Sequence, residues 1–196
     1  MKRLLFISCI LLVLTSCKKD EIYGQILSSP KISFMKNSLS QTDIFFLKKA
    51  IALAKENVLS GKGGPFAAII TKNDEIIATG TNVVTTINDP TAHAEVSAIR
   101  EACRKLNDFQ LEECTLYSSC EPCPMCLGAI YWARLKRLVF AANKHQAEKA
   151  GFDDAFIYKE MKLPYHQRQL DTIQMALPED NKPFELWMNC ATKREY

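Results

Sequence analysis

Two short motifs restrict what this chain can fold into: His93-Ala94-Glu95 and, further along, Pro122-Cys123-Pro124-Met125-Cys126. One imidazole and two thiols form a donor set suited to zinc, which takes nitrogen and sulfur ligands in a tetrahedron. A fold that uses both motifs must bring two distant segments together at one point. Three protein ligands leave one position open, and an open position separates a catalytic site from a structural one. Two thiolates cancel the formal charge of the ion while His93 stays neutral, so water at such a site is acidified from ~15.7 toward ~7. Glu95, two residues past the histidine, suits proton transfer rather than metal binding.

Both motifs read as helix starts. Asp89 as cap and Pro90 as first helical residue, followed by Ala94, Ala98, Ile99, Ala102 and Leu106 at helical spacing, predict a helix with His93 and Glu95 in its first turn. Pro122 before the run 123–132 predicts a second, whose N-terminal dipole favours thiolates. An earlier helix is expected from Thr42 or Asp43 to about Leu59, with Phe46, Leu47, Ala50, Ile51, Ala54 and Val58 on one face and Gly61 as its stop. Residues 66–71 and 75–79 read as strands joined through Lys72-Asn73-Asp74, and further strands are expected at 115–118, 138–142 and 173–176. Strands alternating with helices predict the α/β class, as a three-layer α/β/α sandwich with a mixed five-stranded sheet.

At 196 residues and 47% hydrophobic content the chain can bury one sizeable core. Residues 1–16 read as a lipoprotein signal peptide: a basic start at Lys2-Arg3, an apolar run at 4–14 too short to span a bilayer, and Leu14-Thr15-Ser16-Cys17, which resembles a lipobox. Lipidation of Cys17 would anchor the chain at the cell envelope, and residues 17–36 read as a linker to the domain at 37–196. Cys103, Cys114, Cys120 and Cys190 show no disulfide spacing and suit a reducing compartment, which keeps open a cytoplasmic protein started at Met35.

His-x-Glu followed by Pro-Cys-x-x-Cys is the motif pair of zinc-dependent nucleobase deaminases. Residues 46–196 resemble, more specifically, the bacterial guanine deaminases of the cytidine-deaminase fold. The resemblance is carried by Gly63-Gly64-Pro65-Phe66-Ala67-Ala68, by Asn88-Asp89-Pro90-Thr91-Ala92-His93-Ala94-Glu95, by the stretch from Ser119 to Arg134, by Ala150-Gly151-Phe152-Asp153-Asp154 and by the terminal Lys193-Arg194-Glu195-Tyr196. It implies one zinc per subunit on His93, Cys123 and Cys126, Glu95 as proton shuttle and Asp154 as a second catalytic acid. It further implies a purine site formed by Phe66, Asn82, Ala94, Trp132 and Tyr196, and a homodimer that exchanges C-terminal segments. The reaction implied is hydrolysis of guanine to xanthine and ammonia. Taken alone, Phe66 at a strand start and Trp132 on a helix read as core, and the Asp153-Asp154 pair as a turn or cap. His145 and His166 lack partners at metal spacing and read as surface residues.

Charge bears on the alternatives. The whole chain has a formal charge of +3, and without Lys2 and Arg3 it carries 23 basic and 22 acidic residues, a net +1. A nucleic-acid binder normally concentrates basic charge, and outside the tails only Arg134, Lys136 and Arg137 are dense and read as a solvated helix end, so no nucleic-acid partner is expected. A tRNA adenosine deaminase, or a deaminase of cytosine or adenine, shares the motif and stays open. So does a non-enzymatic zinc module, in which Glu95 would be dispensable.

Overall fold

A computed structural model describes residues 40–196 of the chain. The signal peptide, Cys17, the whole linker and the Met35 start lie outside the described residues. Helix α1 (Gln41–Leu59) opens the domain. Its cap is Ser40, not Thr42 or Asp43 as expected. The Ser40 hydroxyl accepts from Asp43 N–H at 3.0 Å, and the Asp43 carboxylate accepts from Ser40 N–H at 2.9 Å, closing a capping box. The same Asp43 carboxylate also ties the helix to the sheet, accepting from the Tyr117 hydroxyl at 3.0 Å and from both Arg137 guanidinium nitrogens, at 2.5 and 2.9 Å. The guanidinium holds this carboxyl well below the ordinary range, while burial and the carboxylate push Tyr117 up to about 12. Phe46, Leu47, Ala50 and Ala54 are buried as expected, but Ile51 and Val58 face outward and Asn57 takes an inward place.

Strands β1 (Ala67–Lys72) and β2 (Glu75–Thr81) form the expected hairpin. Asn73 and Asp74 take φ of 51° and 61°, the left-handed pair that a two-residue turn needs to match strand twist. A short helix α2 (Val84–Ile87) precedes α3 (Ala94–Leu106), then β3 (Cys114–Cys120), α4 (Pro124–Trp132) and β4 (Arg137–Ala142). Sheet order is β2-β1-β3-β4, antiparallel except between β3 and β4, whose parallel pairing is made by the α4 crossover.

The period-two alternation of the strands divides the core between the two faces. Ala68, Ile70, Ala78 and Leu116 pack with Ala94, Ala98, Ala102 and Ile130 on the α3/α4 side. Ile69, Tyr117 and Val139 pack with Phe46, Leu47 and Ala50 of α1 on the other. The three-layer α/β/α sandwich with a mixed sheet is as expected, but the sheet has four strands among the described residues. Residues 173–176 are not a strand: Ile173 and Met175 are 78% and 73% exposed, with no neighbour to complete a ladder. Three short helices follow the sheet: α5 (Lys144–Lys149), α6 (Asp154–Glu160) and α7 (Lys182–Met188). No helix among the described residues is long and apolar enough to cross a membrane.

Candidate active site

Both helix starts fall later than the motifs suggested. Asp89 caps a turn instead, accepting from the Thr91 N–H and hydroxyl at 2.8 and 2.7 Å, and α3 begins at Ala94 with His93 as its N-cap. Likewise α4 begins at Pro124 with Cys123 as N-cap. Both cap residues are extended, with φ, ψ of −70°, 159° and −65°, 168°. The imidazole and thiol are thus turned away from the helices and toward each other. Cys126 joins them from the first turn of α4.

The His93 Nδ1 atom lies 3.5 Å from both Cys123 Sγ and Cys126 Sγ, and the sulfurs are 3.5 Å apart. A tetrahedral zinc with Zn–S of ~2.3 Å and Zn–N of ~2.0–2.1 Å separates its ligand atoms by about 3.5–3.8 Å. The three donors therefore match one face of a zinc tetrahedron, and among the described residues no fourth His, Cys, Asp or Glu atom joins the group. The Cys123 thiol is pulled well below its usual range, chiefly by the hydrogen bond shared with Cys126 and then by His93. Cys126 is raised by the same bond, and His93 is raised through Cys123.

Glu95 sits one residue into α3 and is 4% exposed, with its Oε1 accepting from the Ser118 hydroxyl of β3 at 2.8 Å. Burial raises its carboxyl above the ordinary value, against the hydrogen bonds that favour the carboxylate. α3 lies this close to the sheet because β2 carries Gly80: a Cβ there would run into the Ala94 carbonyl and the Ala98 backbone. Asp154, in the first turn of α6, is also raised, first by burial and then by the charge of Cys123. Its helix is tied to the ligand loop where the Tyr158 hydroxyl donates to the Pro122 carbonyl at 2.9 Å.

His93, Glu95, Cys123 and Asp154 open onto one cavity of about 220 Å³. That is below the ~300–1,000 Å³ of pockets for drug-sized ligands and suits a single flat base. Phe66 and Asn82 line it. Phe152 meets the Phe66 ring edge-on, with centroids 4.7 Å apart. Ala94 is fully buried behind the site and does not line the cavity. Trp132 and Tyr196 do not reach it within one chain. They pack on each other at 5.6 Å over an apolar groove with Ile99 and Phe109, because Trp132 ends α4, about 13 Å of helix rise from Cys123. His145 and His166 are exposed. Sequence reasoning missed Ser118, Gly64, Val84, Thr85, Glu121 and Phe152. Of these only Gly64, Glu121 and Phe152 lay within the stretches that carried the resemblance, and none has a local pattern that marks it as functional.

A metal triad at the N-termini of two helices, with a buried glutamate beside it, defines a zinc-dependent deaminase. Residues 40–142 match the cytidine and deoxycytidylate deaminase zinc-binding region, and the chain belongs to that family. It is 58% identical over 151 residues to a guanine deaminase of Bacillus subtilis, covering 77% of this chain and 97% of that one. A crystal structure of guanine deaminase from the same organism superposes with a TM-score of 0.76 at 57% identity, covering 78% of this chain and 98% of that one. A tRNA-specific adenosine deaminase of Aquifex aeolicus is 47% identical over 103 residues, covering 52% of this chain and 68% of that one.

Proposed function

We propose that this chain is a guanine deaminase, converting guanine and water to xanthine and ammonia. The observation that carries the reading is the single cavity that joins the zinc triad, buried Glu95 and Asp154 to a base-sized space floored by Phe66 and Asn82. His93, Cys123 and Cys126 hold the zinc, which when bound supplies the Lewis acidity that makes water nucleophilic at neutral pH. Water attacks C2 of guanine, the carbon bearing the exocyclic amine. Glu95 takes one proton from the attacking water and delivers it to the ring nitrogen, then takes the second from the added hydroxyl and passes it to the amine, so that C2=O forms as the C–N bond breaks and ammonia leaves. Asp154 assists on the amine side. Two carboxyl groups in different surroundings, Glu95 buried and Asp154 half-buried, can divide such proton transfers. Phe66 stacks on the base and Asn82 hydrogen-bonds its edge, so an analogue that leaves this amide unpaired is rejected.

The protein works as a homodimer whose C-terminal segments are exchanged, with Trp132 and Tyr196 helping to close the pocket and Tyr196 completing the partner's site. Leu170, Ile173, Met175 and Leu186 are 66–78% exposed in the single chain, an apolar surface that a second copy would cover. A lipidated Cys17 holds the enzyme at the cell envelope. This placement is supported by the order of basic start, apolar run and lipobox in residues 1–17.

Ammonia release by the purified, zinc-loaded chain from guanine, adenine, cytosine and nucleosides tests the substrate. Guanine is expected to exceed the others clearly; a preference for adenine or cytosine overturns the assignment while leaving fold and metal site intact.

A further inference from the structure

We infer that Asn57 is a positioning residue: from the last turn of α1 it sets where Asn82 presents its amide, and so governs base affinity and discrimination rather than the chemical step. The inference rests on the base-binding role proposed for Asn82. Asn57 is 3% exposed, on the helix face that also buries Phe46, Leu47, Ala50 and Ala54, and a buried carboxamide must find partners. Its Nδ2 donates to the Gly64 carbonyl at 2.9 Å and to the Asn82 carbonyl at 2.8 Å. Both amide hydrogens are thereby used, and the two carbonyls belong to two different walls of the cavity.

The surrounding backbone is shaped to this bridge. A Cβ on Gly63 would collide with the Asn82 carbonyl and come within 3.2 Å of the Asn57 amide, so the loop can close on the bridge only with glycine there. A Cβ on Gly64 would lie 3.5 Å from both Asn82 Oδ1 and the Phe66 ring, which places the bridge directly behind the base-binding surface. The Asn82 N–H donates to the Phe66 carbonyl at 3.1 Å, so the amide and the stacking ring are held in one frame. None of the hydrogen bonds of Asn57 reaches His93, Glu95, Cys123 or Asp154. Loss of the bridge should thus move the groups that read the base and leave those that do the chemistry.

The test compares the zinc-loaded full chain with Asn57→Leu, which keeps the branched shape and removes both donors, and with Gly63→Ala, which pushes on the same Asn82 carbonyl. For each, kcat and KM are measured on guanine, adenine and cytosine, zinc per chain is determined, and the Asn82 side-chain amide is followed by nitrogen-15 NMR. The expected result is a KM for guanine raised ~10-fold or more, kcat within about 3-fold of wild type, weaker discrimination between bases, unchanged zinc and a shifted Asn82 resonance. Wild-type KM with an unmoved resonance overturns the inference. Loss of kcat together with zinc on every base also overturns it, since that marks a merely structural post. If Asn57→Leu is insoluble, Gly63→Ala decides by the same readings. Should the wild type prefer another base, the guanine reading fails, while KM on that base and the Asn82 resonance still decide the role of Asn57.

Discussion

The sheet with its flanking helices α1, α3 and α4 and the segment after α6 differ in how much of themselves they cover. Ile69, Ile70 and Leu116 of the sheet are fully buried, whereas Leu170, Ile173 and Met175 are about three-quarters exposed. The difference separates two requirements of the enzyme. The metal ligands, Glu95 and Ser118 need positions fixed to a few tenths of an ångström, and the sandwich supplies them within one chain. The apolar C-terminal segment has too little to bury itself against, which is why we assign its cover to a second copy.

The largest effects should come from the self-contained part. His93→Ala or Cys123→Ala should lose bound zinc and with it nearly all deamination while the sandwich still folds; metal analysis and circular dichroism check this. Zinc retained at one per chain in either variant would remove that residue from the ligand set. The tail should matter less. Removing residues 193–196 should leave folding and zinc intact and lower turnover by about 10-fold, as water enters a site that closure shields. Mixing the truncated chain with a Glu95→Gln chain then sharpens the contrast, because exchange would give one site both an intact glutamate and an intact tail. Recovered activity supports exchange, and no gain beyond the separate proteins counts against it.

The smallest effect concerns the frame beneath the site. Asp43 has a folded pKa below its unfolded value of ~3.9, so its contribution to stability is fully present at neutral pH and is lost as pH falls below about 4. Arg137 is a third exposed, which moderates the pair, and Asp43→Asn should cost about 2 kcal/mol at pH 7. Urea midpoints at pH 7 and pH 3 measure it: the variant should lose less stability on acidification than wild type. Equal losses would show that Asp43 does not titrate as described.

Much of this was legible in the sequence because metal chemistry needs fixed residue types at fixed spacing. His93, Cys123 and Cys126 could be read as one site before any fold was known, and helical and strand periodicities gave the layers. Helix starts were less legible. Asp89-Pro90 has the chemistry of a cap, yet the turn it closes ends before the helix, and only tertiary packing decides that His93 takes the cap position. Residues 173–176 show why a short apolar run is weak: strand formation needs a neighbour, and the sequence does not say where one is. Asn57 was hidden for the opposite reason, since helical periodicity marks buried positions by their apolarity and Val58 beside it fitted the pattern better.

The most direct measurement sets wild type against Glu95→Gln at equal zinc content, with ammonia release from guanine as the readout. Glu95 lies buried beside the triad, hydrogen-bonded by Ser118 and too short of solvent for its proton to be replaced by bulk water. The variant should therefore hold one zinc per chain and turn over at least ~10²-fold more slowly, the scale of general acid–base catalysis. Turnover equal to wild type in the zinc-loaded variant would contradict a proton-transfer role for Glu95.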